Sequence, residues 1–330
     1  MMSERLQRFC SLCLVVALCL LFTSCHQGTQ PAQPHLKHVK LLIDWKAEPT
    51  YAGFYLAREL GFYKRRGVDV EIAEGSGATV SAQVIGAGDQ YLIGSCSGEA
   101  TAIARSRGIP IRSVAVLYPN VPTVIYSRQD TPIQKPTDLI GKRIGLIDGS
   151  ISVDEYKGLL AANHIDRSKI KEVSVGWDAA PLLSKKVDGL MNYEELTPIE
   201  LRLQGHKIAV LRFADFGLKA YSLNLIANDR ALATEDTTIR AVVDGTVEGY
   251  EFLRQNPSEA AKIFGHLFPE RNPEYVRDST QVVSKLLGDS KIGAQTQEGW
   301  EATISTLKLL GLLDKTVTVS EVTAKEYLTH

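Results

Sequence analysis

The spacing of apolar positions alternates between two patterns along the chain. Short apolar runs such as "HVKLLIDW" (38–45) and "VDVEIAE" (68–74) are typical of strands. Between them, "YAGFYLARELGFYKRRG" (51–67) repeats its apolar residues at helical spacing and ends at a glycine. Strands that alternate with helices of this length predict a parallel sheet with covering helices.

This alternation runs through two successive series and then gives way to helices. The first series continues with a helix (78–88), a strand (90–95), a helix (98–108) and a strand (111–118). The second series predicts strands at 142–148, 170–177, 187–193 and 206–213, and helices at 152–164, 180–186 and 195–205. After residue 228 the pattern predicts only helices, at 236–255, 257–267, 273–287 and 295–310.

Two α/β units plus a helical tail exceed one ordinary sheet, so we expect two lobes. The strand-like segments "TVIYS" (123–127) and "SLNLIAN" (222–228) join the units and predict a hinge of two crossovers. The expected division is one lobe from 38–122 with 225–330 and a second from 123–224. Ligands gather at the carboxyl ends of strands in such sheets, so a cleft between the lobes should close on a ligand.

The N-terminus has the layout of an export signal. Arg5 and Arg8 precede the apolar run "FCSLCLVVALCLLF" and the small residues of "TSC", and the run is short for a membrane span. "LLFTSC" resembles a bacterial lipobox, although Phe22 stands where leucine is usual. We therefore expect a lipoprotein signal peptide at 1–24, acylation of Cys25 by fatty acids such as palmitate, and a polar tether at 25–37. The alternative is a plain signal anchor.

Cysteine and charge exclude several classes. Of five cysteines, Cys10, Cys13 and Cys19 would leave with the signal and Cys25 would carry lipid. Cys96 alone would remain, as a small buried or cleft-edge residue, so we expect neither a disulfide nor a cysteine metal site. A net charge of −1 gives no reason to expect nucleic acid binding. The seven histidines show no metal-ligand spacing, and no cofactor is expected.

Several blocks resemble the periplasmic-binding-protein-like (type 2) solute receptors of ABC importers, of the two-crossover kind. They are "LLIDWKAEPTYAGFYLARELGFYKRRGVDVEI", "LIGKRIGL", "VGWDAAPLLSKKVDGLMNYEE" and "FADFGLKAYSLNLIAN". The "NYE" and "DFG" blocks are most similar to the receptors for thiamine pyrimidine precursors, which are related to the nitrate, sulfonate and riboflavin receptors. That branch has an Asn-rich stretch with a histidine after Asp-Trp, whereas this chain has "KAEPTYAG".

The candidate site consists of residues at strand ends and in Gly-rich turns. Aromatic faces for stacking and polar edges for hydrogen bonding suit a planar heteroaromatic ligand, although core packing is the alternative for each aromatic residue. The resemblance implies that Glu194 accepts a hydrogen bond from an exocyclic amine, and we expect Glu195 to face solvent. The turn residues could instead only form turns and cap helices. The expected ligand-binding residues are Asp44, Trp45, Glu48, Tyr51, Ser76, Gly77, Ser95, Ser97, Trp177, Asn192, Tyr193 and Glu194.

The expected function is a monomeric, lipid-anchored receptor facing the periplasm or exterior. It would capture a small aromatic nitrogen heterocycle, such as a thiamine pyrimidine precursor, and deliver it to an ABC permease and ATPase. Riboflavin, or an anion such as nitrate or a sulfonate, is the alternative ligand. Enzymes are disfavoured because the chain has no G-x-S-x-G, P-loop or H-E-x-x-H motif. It also lacks the Cys-rich motif of the related pyrimidine-precursor synthases. A sensor domain would need a separate signalling partner.

Overall fold

A computed structural model describes residues 36–327. The predicted signal peptide and Cys25 lie outside these residues. The described strands are β1 (Lys37–Ile43), β2 (Val68–Glu74), β3 (Ile93–Ser97), β4 (Ile111–Val116), β5 (Thr123–Arg128), β6 (Arg143–Leu146), β7 (Lys171–Ser174), β8 (Gly189–Tyr193), β9 (Ile208–Arg212) and β10 (Leu223–Asn228).

Helices cover the sheets and form most of the C-terminal third. They are α1 (Ala52–Glu59), α2 (Ala78–Ala87), α3 (Gly98–Ser106), α4 (Ile151–Ala162), α5 (Ala180–Leu183), α6 (Thr197–Leu203), α7 (Asp229–Thr234), α8 (Asp236–Gln255), α9 (Pro257–Leu267), α10 (Pro273–Leu286), α11 (Gln297–Leu309) and α12 (Val319–Val322). Short 3-10 turns occur at Pro49–Tyr51, Lys64–Arg66, Pro136–Leu139, Arg167–Lys169, Phe213–Phe216 and Lys325–Tyr327. No helix in residues 36–327 is both long and apolar enough to cross a membrane.

The strands form two five-stranded sheets, with orders β2-β1-β3-β10-β4 and β7-β6-β8-β5-β9. We call the first sheet with its helices the first half, and the second sheet with α4, α5 and α6 the second half. This α/β architecture of two mostly parallel sheets was predicted from the sequence. The crossover strands β5 and β10 lie inside the sheets and run antiparallel to their neighbours. They enter at the edge where the parallel strands end, so Thr123 pairs with Tyr193 and Leu223 with Ser97.

The two crossovers hydrogen-bond to each other between the halves. The amide of Ser222 donates to the carbonyl of Tyr118 (3.1 Å), and the amides of Leu117 and Tyr118 donate to Leu223 (2.8 and 3.0 Å). This pairing places the two connections side by side. The two segments therefore have the arrangement that a hinge requires.

The predicted helix at 51–67 ends early, at Glu59. Gly61 has φ +74°, the amide of Phe62 donates to Ala57 (2.8 Å), and the amide of Gly61 donates to Arg58 (3.2 Å). These two bonds form a Schellman motif, which stops a helix at a residue in left-handed conformation. The apolar residues beyond it, Phe62 and Tyr63, still pack into the core of the first half.

Candidate functional site

A cavity of about 420 Å³ lies between the halves, where the carboxyl ends of their strands face each other. This volume is typical of small-molecule sites. The first half contributes residues that follow β1 and β2 and one residue of α3. The second half contributes residues that follow β6 and β7, the last residues of β8, and Leu196 beyond it. The lining residues are Asp44, Trp45, Glu48, Thr50, Tyr51, Ser76, Gly77, Ala78, Thr79, Val80, Ala100, Ile147, Asp148, Gly149, Ser150, Ile151, Ser152, Trp177, Met191, Asn192, Tyr193 and Leu196.

Asp44 is the first residue after β1 and is held in place by the next strand ends. Its amide donates to the Ser95 hydroxyl oxygen (2.8 Å), and that hydroxyl donates to its carboxylate. The amide of Gly77 donates to the Asp44 carbonyl (2.7 Å). Burial raises the pKa of the Asp44 carboxyl, although the Ser95 hydrogen bond opposes this shift. Ser95 therefore positions Asp44 and does not itself line the cavity.

Tyr51 and Glu48 line the cavity beside Asp44 with their side chains already supported. The Tyr51 ring is buried and stacks on Phe54, with ring centroids 6.4 Å apart. Burial, with the nearby Asp44 carboxylate, raises the pKa of the Tyr51 hydroxyl well above its usual range, so it stays protonated. The Glu48 carboxylate accepts hydrogen bonds from Arg271 (2.8 Å) and Tyr275 (3.1 Å) of the helical tail. The Glu48 carboxylate therefore already accepts two hydrogen bonds from within the protein.

Trp45 and Trp177 meet across the mouth of the cavity. They come from opposite halves, and their ring centroids are 6.0 Å apart at an interplanar angle of 37°. Both rings are exposed, by 39% and 58%. The separation is too small for a third ring to insert between them, because stacked rings are about 3.5 Å apart. In this arrangement the two tryptophans cover the cavity as a lid.

Tyr193 and Asn192, at the end of β8, line the opposite wall. Tyr193 is half-buried, and burial raises the pKa of its hydroxyl well above the usual range. The phenol is therefore a neutral hydrogen-bond donor beside the cavity. The Asn192 side chain accepts from the Tyr193 amide (2.7 Å) and donates to the Thr197 hydroxyl (2.7 Å). These bonds hold the turn that carries Tyr193.

Glu194 and Glu195 point away from the cavity lining. The Glu194 carboxylate forms a bidentate ion pair with Arg212, at 2.6 Å for one contact. Glu195 is fully buried and accepts a hydrogen bond from Thr50 of the first half (2.9 Å). The expectation that Glu195 faces solvent is wrong, because the turn after β8 lies against the first half and places this side chain in the contact between them.

The Gly-rich turns split between the two roles considered for them. Ser76 and Gly77 line the cavity, and Gly77 has φ +132°, a conformation that favours glycine. Ser97 instead caps helix α3, since its hydroxyl accepts from the Ala100 amide (3.1 Å). Cys96 is a buried free thiol, and burial strongly raises its pKa, so it lacks the thiolate character of a nucleophile.

The loop after β6 is a major part of the cavity wall that was absent from the expected binding residues. This loop and the start of α4 contribute six lining residues, from Ile147 to Ser152, and the Ser150 hydroxyl caps helix α4. The loop's position after a strand of a parallel sheet is the sequence signal that places residues 148–150 at the cleft. Thr50, Ala100 and Leu196 were also missed. They carry no sequence signal of their own, because their place depends on how the halves meet.

The charges in the cavity wall are all negative. Asp44, Glu48 and Asp148 line it, and neither lysine nor arginine is found among the lining residues in the described part of the chain. Asp148 accepts a hydrogen bond from Ser174 (2.6 Å). Within residues 36–327, no cluster of three or more histidine, cysteine or acidic residues could hold a metal ion. The wall therefore offers aromatic faces and hydrogen-bond acceptors.

The chain is similar in sequence to several known proteins. The chain is 24% identical to a formylaminopyrimidine-binding protein of Halalkalibacterium halodurans, covering 92% of this chain and 94% of that protein. It is 25% identical to the riboflavin-binding protein RibY of Chloroflexus aurantiacus, covering 96% and 97%. A 4-amino-5-hydroxymethyl-2-methylpyrimidine phosphate synthase of Legionella pneumophila is 22% identical, covering 88% and 92%.

The fold agrees with that of periplasmic solute-binding proteins. The aliphatic sulphonate binding protein SsuA from Escherichia coli superposes with a TM-score of 0.72 at 15% identity, covering 88% of this chain and 98% of that one. The family model described as "NMT1/THI5 like" matches residues 48–260, which is more than half of the chain. This protein therefore belongs to the NMT1/THI5-like family.

Proposed function

We propose that this protein is the solute-binding component of an ABC importer and that it captures a small aromatic nitrogen heterocycle, such as a thiamine pyrimidine precursor. The observation that carries the proposal is the cavity between the halves. Aromatic rings reach it from both halves, at Trp45, Tyr51, Trp177 and Tyr193, and acidic oxygens lie at its wall. A flat ring with amino groups at its edge matches this combination of faces and acceptors.

The charge of the wall favours a neutral or cationic ligand over an anion. Nitrate or a sulfonate would meet Asp44 and Asp148, with neither lysine nor arginine among the described lining residues to offset the repulsion, whereas Glu48 is already paired with Arg271. The N-termini of α2 and α4 adjoin the cavity and favour negative charge, but each contributes only partial charges. An aromatic amine is therefore the better match, and riboflavin remains the alternative because it also presents a flat ring system.

An enzymatic role is the alternative from another class. Pyrimidine phosphate synthases are among the relatives, so the family accommodates both binding proteins and enzymes. The chain has a single cysteine in "IGSCSGEA", where the synthase resemblance would require a Cys-rich motif. That cysteine is buried with a strongly raised pKa. The binding role is consequently the stronger proposal.

Closure of the halves would create the binding site. Residues 38–122 with 225–330 form one lobe of the proposed clamp and residues 123–224 the other, joined at the paired crossovers. Stacking and hydrogen bonds made by both lobes at once would stabilise the closed state. A permease and an ATPase encoded elsewhere would complete the importer.

The proposed location is the cell envelope, outside the cytoplasm, with Cys25 acylated as the mature N-terminus. A Cys25→Ser variant tests this anchor by cell fractionation and mass measurement. We expect the variant to leave the membrane fraction or to remain unprocessed. Membrane binding at wild-type levels with the same processed mass would refute the lipid anchor and would leave the ligand proposal untouched.

The ligand is tested first by mass spectrometry of small molecules that co-purify with the protein. Calorimetric titration with a formylated aminopyrimidine, riboflavin, an alkanesulfonate and nitrate then ranks the classes. We expect saturable binding of the aminopyrimidine and no binding of the two anions. Tight binding of nitrate or the sulfonate, without binding of either heterocycle, would overturn the proposal.

A further inference from the structure

Three buried carboxyl groups lie where the two halves meet, and none has a cationic partner within residues 36–327. They are Glu99 of α3 in the first half, Glu155 of α4 in the second half, and Glu195 in the turn after β8. Their exposed fractions are 3%, 4% and 0%. Burial of an ionised carboxylate without a compensating charge is strongly unfavourable, so such groups take up protons.

Glu195 joins the halves directly. One of its oxygens accepts the hydrogen bond from Thr50, and its other oxygen has no hydrogen-bond partner. The Thr50 carbonyl in turn accepts from the hydroxyls of Tyr250 (2.9 Å) and Tyr118 (3.3 Å). The charged groups that act on Glu195 are Glu194 and Glu48, both carboxylates already paired with arginines. Burial raises the pKa of Glu195 from 4.5 to about 7.

Glu99 and Glu155 are a second acidic pair, from opposite halves, close enough for their charges to interact. Neither oxygen of Glu99 has a hydrogen-bond partner, and the Thr123 hydroxyl donates to Glu155. The groups that act on them are Ser97, Asp154 and Tyr193, and Asp154 is paired with Lys157 (2.8 Å). Burial raises both carboxyl pKa values, and repulsion from Glu99 raises that of Glu155 further. The surroundings thus favour protons on all three carboxyl groups.

Two carboxylates close to these residues are compensated by arginines instead of by protons. Glu194 is next to Glu195 in the chain, and its ion pair with Arg212 lies within the second half. The Glu48 pair with Arg271 lies within the first half. Cations therefore compensate carboxylates inside each half, whereas the three carboxyls between the halves depend on protons. When the halves separate, solvent can reach the three groups and stabilise their charged forms.

We propose that closure of the two halves takes up protons, and that Glu99, Glu155 and Glu195 bind them. This inference rests on the proposed function only in assuming that the halves open and close. The sign follows from linkage: a carboxyl with a higher pKa in the closed state favours closure at low pH, and this contribution is lost as the pH rises toward the closed-state value. Between pH 5.5 and 8.0, one carboxyl that shifts from 4.5 to about 7 changes the closed-to-open ratio about twenty-five-fold.

Small-angle X-ray scattering of the ligand-free full chain, recorded between pH 5.5 and 8.0, tests the proposal. We expect the radius of gyration to fall as the pH is lowered. Emission from the Trp45–Trp177 pair should change over the same range, whereas Trp300 is buried in the core. The variants Glu99→Gln and Glu195→Gln should each flatten the response, and Glu155→Gln should do so as well. Glu200→Gln, an exposed neighbour on α6, is the matched control and should keep the wild-type response.

A radius of gyration that does not depend on pH in the wild-type chain would overturn the proposal. Glutamine variants that retain the full pH dependence of the radius of gyration would overturn it as well. The three variants are measured separately, so that the others still test the proposal if one does not fold. Because no ligand is present, failure here leaves the solute-binding proposal standing. Conversely, failure of an aminopyrimidine to bind leaves the proton-linked closure standing.

Discussion

The two walls of the cavity differ in how firmly their residues are held. In the first half, Asp44 is bonded to Ser95, Tyr51 stacks on buried Phe54, and Glu48 is paired with Arg271. The wall of the second half has an exposed loop at Asp148–Gly149 and a tryptophan, Trp177, that is 58% exposed. The first wall is therefore organised in advance of binding, and the second has fewer contacts to restrain it.

The cores behind the walls explain this difference. The cluster behind the first wall runs from the sheet through α1 and into α8, α9 and α10 of the helical tail. The first half has two smaller clusters in addition, whereas the second half has two clusters that are both smaller than the one behind the first wall. A preorganised wall loses little entropy on binding, whereas a mobile wall allows entry of a ligand. The fold thus divides positioning and closure between its halves.

The largest effect should come from weakening the support of the first wall. Phe54 is fully buried and contacts both Tyr51 and Tyr250, with ring centroids 6.4 and 5.4 Å away. Phe54→Ala should lower the free energy of unfolding by about 3–5 kcal/mol through lost burial and a cavity. Denaturant unfolding measures this loss. Trp177→Ala is the aromatic control in the second wall and should change stability by less than about 0.5 kcal/mol. Equal losses would show that the two walls are supported alike.

Next in size is the effect of the lid on binding. Trp177→Ala and Trp45→Ala each remove one ring of the contact across the cavity mouth. We expect each to weaken ligand binding by about ten- to a hundredfold, because aromatic residues that cover a ligand contribute about 1–3 kcal/mol, and mainly by faster dissociation. Stopped-flow measurement with the co-purified ligand checks this. Leu183→Ala, an exposed apolar residue of the same half that does not line the cavity, is the control. An unchanged dissociation rate in both tryptophan variants would exclude the lid.

Much of the fold could be predicted from sequence, whereas side-chain orientations that depend on distant residues could not. Strand β2 and helices α8 and α9 have the predicted bounds, because their hydrophobic spacing and glycine or proline boundaries are local signals. Asp44, Trp45, Ser76 and Tyr193 could be placed at the cavity because strand ends gather at one edge. These inferences depend only on nearby residues and on the topology.

The orientation of Glu194 and Glu195 could not be predicted in the same way. Arg212, which pairs with Glu194, is eighteen positions away, and Thr50, which contacts Glu195, is in the other half. Adjacent acidic residues have the same local pattern, so only these distant partners distinguish them. Ser97 illustrates the same limit, because a cavity-lining serine and a helix-capping serine look alike in sequence.

A smaller effect is expected at the Glu194–Arg212 ion pair. The Glu194 carboxylate accepts two hydrogen bonds from Arg212 and does not line the cavity. Glu194→Gln should therefore lower the free energy of unfolding by about 1–2 kcal/mol. Ligand affinity should fall less than threefold. A double-mutant cycle with Arg212→Gln isolates the pair energy. A tenfold or greater loss of affinity without loss of stability would instead support the role that the family resemblance implies, namely a hydrogen bond from the ligand to Glu194.

The smallest effect concerns how helices end in the two halves. The same Schellman pattern closes α1 at Gly61, α4 at His164 and α5 at Lys185, with φ values of +74°, +54° and +61°. A side chain in this left-handed conformation costs about 1–2 kcal/mol, and glycine recovers part of it at the expense of entropy in the unfolded chain. Lys185→Gly and His164→Gly should therefore each stabilise the protein by about 0.5 kcal/mol, whereas Gly61→Ala should destabilise it by about 1 kcal/mol. Chemical unfolding at one pH measures all three.

Destabilisation by both glycine variants would contradict this prediction. It would mean that the side chains of His164 and Lys185 make contacts that outweigh the backbone strain. The second half would then be better supported than the contacts of its cavity wall indicate.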